Sequence, residues 1–171
     1  MEPVSVRPPP DEVAMNGHAH KQVGGPTGAV AAFALARKQT PAARIVETFG
    51  GYVGGVVGAR LPDIIDPPTC PHHRSIGHGI VPVGLASRAC LDRIPAWQEQ
   101  LRRSAEEHSV AAAQTTDVWE RLLHSLLELL CRVGAGMLAG IPAGYLSHLA
   151  LDATTPAGLP LIAGRDARLD I

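Results

Sequence analysis

A chain of 171 residues with a formal net charge of -1 and a pI near 6.7 is sized for one domain with a sizeable core. No basic excess points to nucleic acid, and three widely separated cysteines (Cys70, Cys90 and Cys131) without a CxxC pair argue against a disulfide framework or a cysteine-rich zinc site. Aromatic residues are only 4% of the chain, so strand-favouring runs are thin and helices are expected to dominate.

The first residues, MEPVSVRPPPDEVAMNG, lack the basic and apolar regions of a secretory signal, and their prolines and charges predict a flexible tail over residues 1–19. PTGAVAAFALARK, residues 26–38, reads as a helix with proline in its first turn and basic residues in its last. Thr40-Pro41 starts a second helix through AARIVETFGGYVGGVVGAR. Its glycine pairs at 50–51 and 54–55 would weaken it in isolation, so packing must support it. LPDIIDPPTCPHHR, residues 61–74, holds too many prolines to be regular helix throughout.

A helix is predicted from about Ile76 to Leu91, with Pro82 as a kink, and Pro95 opens an amphipathic helix, AWQEQLRRSAEEHSV. Arg102 and Arg103 fall on what reads as its exposed face. AAAQTT, residues 111–116, is a plausible joint. Asp117 then resembles an N-cap with Glu120 three residues on, a capping-box arrangement. The last helix is predicted from Val118 to about Asp152, bent at Pro142, followed by the irregular TTPAGLPLIAGRDARLDI. The expectation is an all-α, single-domain helical bundle over residues 20–164, with an irregular C-terminal tail at 165–171. VGAGMLAGIPAGYLSHLAL, residues 133–151, is nearly long enough to cross a bilayer, yet its glycines, proline, serine and His148 fit a buried core helix equally well.

Four places put metal-capable side chains where a plain bundle has no use for them: His18 and His20 in GHAH, Asp63 and Asp66 in LPDIID, His72, His73, Arg74 and His78 in HHRSIGH, and His148 and Asp152 in SHLALD. His148 and Asp152 are four apart and share one helix face. Asp63 and Asp66 share a proline-flanked loop, His73 precedes a predicted helix start, and His78 lies in the second turn of that helix. Nitrogen and carboxylate donors together suit zinc first, with manganese or iron as alternatives, and bundle cores are familiar sites for such ions. Each residue alone also has a plain reading. A lone histidine, such as His108 or His124, is more often exposed or a satisfied core residue, Asp-Pro marks a turn, Asp152 can end a helix, and Arg74 can be a surface charge.

LPDIIDPPTCPHHRSIGH, followed much later by GYLSHLALDATTPAGLPLI, resembles the YdjM-like family of predicted, often membrane-bound, metal-dependent hydrolases. The resemblance runs from about His20 to Leu161 and implies a helical fold similar to zinc-dependent phospholipase C in its His/Asp metal ligands. It favours His20 over His18 at the N-terminal position and places the loop acids at Asp63 and Asp66, the latter more often glutamate in the family. It matches the HR pair at His73 and Arg74, the following histidine at His78, and the closing pair at His148 and Asp152. Gly77 and Gly79 stand where members usually carry hydroxyl residues, so hydroxyl assistance is absent there.

The resulting expectation is metal-assisted hydrolysis, with His20, Asp63, His78, His148 and Asp152 as ligands of one ion or two. Asp66 or His73 would be a ligand, an orienting group or a general base, and Arg74 would hold a phosphate oxygen. The expected substrate is a small-molecule or lipid phosphoester, with no nucleic-acid partner, and the expected location is the bacterial inner membrane or cytoplasm rather than outside the cell. The rival expectation is a non-enzymatic helical membrane or interaction protein holding a structural ion or a buried polar network.

Overall fold

Small residues decide how these helices pack. The computed structural model of the chain describes residues 10–67, 77–79, 84, 88, 92–154, 159–160 and 168–169. Five helices are described: α1 (Pro10–Leu35), α2 (Pro41–Gly58), α3 (Leu61–Ile65), α4 (Ile94–Gln114) and α5 (Val118–Ala153). A two-residue antiparallel pair, β1 (Leu159–Pro160) with β2 (Arg168–Leu169), accompanies them. The expected all-α class holds.

Helix α2 lies between α1 and α5, antiparallel to the first and parallel to the second. A Cβ on Gly55 would collide with the Gly24 carbonyl on α1, and one on Gly144 of α5 would collide with the Gly55 carbonyl. Backbones this close leave no room for side chains between them, so the glycines that would weaken α2 alone are what let it pack on two sides. Helix α4 folds back along the first half of α5, where Gln98 Nε2 donates to the Ala135 carbonyl at 2.8 Å.

The interior is polar where large side chains are buried. Among the described residues, the largest fully buried side chains are His78, His148, Glu47, Asp152 and Pro62, whereas the buried apolar residues are mostly alanines. Large apolar side chains instead point outward, including Val30, Phe33, Ile45, Phe49 and, along α5, Trp119, Leu122, Leu126 and Leu130. Among the described residues, one helix, α5, is long and apolar enough to cross a membrane by length and composition. Helices that share small residues at their interface and turn large apolar residues outward are the arrangement lipid permits.

Several expectations need correction. Residues 10–19, read as part of a flexible tail, form the start of α1, and Pro26 lies inside that helix instead of opening it. Pro10 followed by Asp11 and Glu12 is itself a strong start signal, because proline suits the first helical turn and acids suit its positive end. The LPDII stretch is a short helix, α3. The alanines of AAAQTT continue α4 to Gln114, and only Thr115 to Asp117 form the joint. Asp117 does cap α5, accepting from the Trp119 and Glu120 amides. Glu120, however, accepts from the Thr115 hydroxyl at 2.7 Å, and Thr115 accepts the Asp117 amide at 3.2 Å, so a third residue completes the cap. Arg102, read as exposed, is 14% exposed and pairs with Glu47, while its neighbour Arg103 is 71% exposed. Most of the predicted helix at 76–91 lies outside the described residues, but Gly77 and His78 form a turn, so His78 is not in a helix's second turn.

Candidate metal centre

The parallel run of α2 and α5 brings the end of α2 level with the last turns of α5. There His148 Nδ1 donates to the Ala59 carbonyl at 2.7 Å. That bond assigns the ring hydrogen to Nδ1 and leaves Nε2 with its lone pair. Asp152, one turn further along α5, is buried on the same face.

The second wall comes from α3 and the turn after it. Asp66, just past α3, accepts the Gly77 amide on Oδ2 at 2.6 Å, and the same oxygen lies 3.5 Å from His78 Nδ1. The Tyr145 hydroxyl donates to the Gly77 carbonyl. Asp66 and Tyr145 therefore grip Gly77 from its two sides and fix the turn that presents His78. With Nδ1 turned to Asp66, His78 also offers Nε2 inward.

The two Nε2 atoms face each other at 3.3 Å. Asp152 Oδ2 lies 3.3 Å from each of them, and Asp63 Oδ1 lies 3.7 Å from that of His78 and 3.6 Å from that of His148. Donors bonded to one ion at roughly 2.1 Å, with angles of about 105–125°, stand this far apart. Two imidazole nitrogens and two carboxylate oxygens turned toward one point make a mixed donor set that a cation can join. The residues present therefore fit a divalent ion, and the mixed nitrogen and oxygen set suits zinc, manganese or iron.

Burial pushes the Asp63 carboxyl up, but the His78 ring beside it and the nearby His148 and His20 rings outweigh this and hold it below its ordinary value. It stays an anion, the form an ion needs. The Asp63 side chain is 35% exposed, whereas those of His78, His148 and Asp152 are buried, so the cluster has one open edge.

His20 reaches the cluster from α1. Its ring stacks on that of His148, with centroids 3.8 Å apart and 17° between the planes, and its Nε2 lies 3.6 Å from Asp152 Oδ1. Two overlapping donor groups result, one of His20, His148 and Asp152 and one of Asp63, His78 and His148.

All five residues expected as ligands thus converge. Of the three expected to assist catalysis, Asp66 orients the His78 turn, while His73 and Arg74 lie outside the described residues; His18 lies within α1. Sequence reasoning passed over Tyr145, although it lies three residues before His148 on the helix and so on a neighbouring face. It also missed the Ala59 carbonyl, which no motif marks. His108 and His124, set aside as single histidines, face each other across α4 and α5 with their Nδ1 atoms 3.0 Å apart.

No curated protein and no solved structure matches the chain. One family model does, over residues 15–163, a span that takes in α1 through α5 and every residue of the cluster. With its apolar exterior, its glycine-packed helices and that match, the chain belongs to the YdjM inner membrane protein family.

Proposed function

We propose that this chain is a metal-dependent hydrolase of the inner membrane that acts on a phosphoester, with zinc as the first choice of ion. The observation that carries the reading is the opposed pair of Nε2 atoms on His78 and His148, with carboxylate oxygens of Asp63 and Asp152 at 3.3–3.7 Å. A divalent ion, when bound, polarises water or an ester oxygen near neutral pH. The chain's own groups prepare for it. Ala59 fixes the tautomer of His148, Asp66 and Tyr145 fix the turn carrying His78, and the His20 ring covers one face of His148. Such outer contacts tune a metal site as much as its ligands do. The half-exposed Asp63 marks the edge from which a substrate oxygen and water would enter. The phosphoester class rests on Arg74 in the HHR stretch, whose planar donors suit phosphate oxygens, and on the family resemblance. A lipid phosphoester is the variant that suits a membrane setting.

A second reading has its own observation. Deep burial of His78, His148 and Asp152 also suits a structural ion in a non-enzymatic membrane protein. Elemental analysis of protein purified in detergent, alongside hydrolysis of a panel of phosphomonoesters, phosphodiesters and phospholipids, separates the two. The hydrolase reading expects bound metal and turnover, both lost in His148→Ala and reduced in Asp63→Ala. Full metal content without turnover of any substrate would leave the structural reading, and native protein without metal would overturn both.

A further inference from the structure

The His20 ring cannot share an ion with His148. A lone pair on imidazole nitrogen lies in the plane of its ring, and these two planes are 17° from parallel with centroids 3.8 Å apart. An ion in the plane of His148 therefore sits about a ring spacing off the plane of His20, where His20 offers only its π face. Yet His20 is buried, and its Nε2 stands 3.6 Å from Asp152 Oδ1, too long for a hydrogen bond but suited to two donors on one ion. The other Asp152 oxygen, Oδ2, faces His78 and His148 at 3.3 Å. The two oxygens of one buried carboxylate are thus aimed at two different sets of imidazole nitrogens. His148 cannot serve both sets, because its Nδ1 is bonded to the Ala59 carbonyl and only Nε2 is left.

From this we infer that the cluster is a two-ion centre bridged by Asp152. One ion takes Nε2 of His78 and His148 with Asp63 Oδ1 and Asp152 Oδ2. The second takes Asp152 Oδ1 and His20. The assignment rests on the metal-centre reading above and adds to it the number of ions and the role of each carboxylate oxygen. It also gives the substrate chemistry a form, since paired ions clamp the attacking and leaving oxygens of a displacement at phosphorus.

The test is metal stoichiometry on full-length protein in detergent, loaded with zinc or with manganese and freed of excess. The expected values are two ions per chain in the wild type and one in His20→Ala, which keeps the His78–His148 ion. Manganese-loaded wild type gives an independent reading that needs no variant. A carboxylate-bridged pair shows an exchange-coupled paramagnetic resonance spectrum, and His20→Ala returns the six-line signal of an isolated ion. One ion per chain in the wild type with an uncoupled spectrum overturns the two-ion assignment and leaves the hydrolase reading standing. No bound ion overturns both.

Discussion

Two of the regions in which the bundle buries ionisable side chains are built on opposite principles. In the first half of α2, the fully buried Glu47 meets Arg102 of α4, whose Nε lies 3.1 and 3.2 Å from the two carboxylate oxygens and whose Nη2 lies 2.6 Å from one of them. The same guanidinium reaches the Leu35 carbonyl at the end of α1. Charge and hydrogen bonds close within the protein, and three helices are fastened together. At the end of α2, the Nε2 atoms of His78 and His148 face each other at 3.3 Å, with carboxylate oxygens of Asp63 and Asp152 at 3.3–3.7 Å. The first region is a salt bridge closed within the protein, and the second has the donor set that a cation would complete. Burial alone therefore does not mark a candidate site, whereas converging nitrogen and carboxylate groups do.

That contrast can be broken from either side. The largest stability effect is expected at the fastener. Arg102→Ala leaves Glu47 buried without its partner and should cost about 3–5 kcal/mol in denaturant unfolding, while metal content per folded chain stays unchanged. A loss of metal together with the loss of stability would mean that the two regions are one unit. The next effect is stabilisation by the ion itself. Zinc at roughly 100 times its dissociation constant should raise unfolding stability by about 2.7 kcal/mol in the wild type and in Arg102→Ala, and not in His148→Ala. Equal stabilisation of His148→Ala would place the binding elsewhere.

Smaller effects test the supports of the site. Asp66→Asn weakens the hold on the His78 turn and should lower cobalt affinity by about 10- to 100-fold, the range expected for groups that orient ligands. Tyr145→Phe removes one bond to Gly77 and should stay near the lower limit, with a changed cobalt absorption spectrum and little change in the stability of the metal-free protein. An unchanged spectrum would reduce Tyr145 to a packing residue.

The smallest expected effect concerns the pH at which metal is lost. The folded value of Asp63 lies below its ordinary 3.8, so its stabilising contribution is fully present above that pH and is lost only as pH falls through the lower folded value. Between pH 5 and 8 Asp63 stays ionised, and metal loss on acidification should follow imidazole protonation, near 6.5 for free histidine. Asp63→Asn should weaken binding and move that midpoint to higher pH, because a weaker site yields its ion to protons sooner, and a midpoint that stays in place would contradict this.

Much of the candidate site was legible in the sequence, because metal-capable side chains show themselves by type and spacing. The His148 and Asp152 pair needs only helical periodicity to share a face, and the LPD loop and the HHRSIGH stretch stand out in a chain otherwise rich in alanine, glycine and leucine. The fold class followed from the same composition. What stayed hidden depended on pairing between distant elements. Glu47 and Arg102 are 55 positions apart, and nothing local distinguishes Arg102 from the exposed Arg103 beside it. The Ala59 carbonyl that fixes His148 is a backbone group, exposed as an acceptor only because α2 ends there. The stack of His20 on His148 depends on how closely glycines let α1 and α5 approach α2, a distance no residue type encodes alone.

The most direct test of the account is X-ray absorption at the zinc edge of protein loaded and held in detergent. The expected result is a shell of nitrogen and oxygen donors at about 2.0–2.2 Å with outer scattering from at least two imidazoles, reduced by one imidazole in His78→Ala. A sulfur shell, or an oxygen shell with no imidazole scattering, would contradict it.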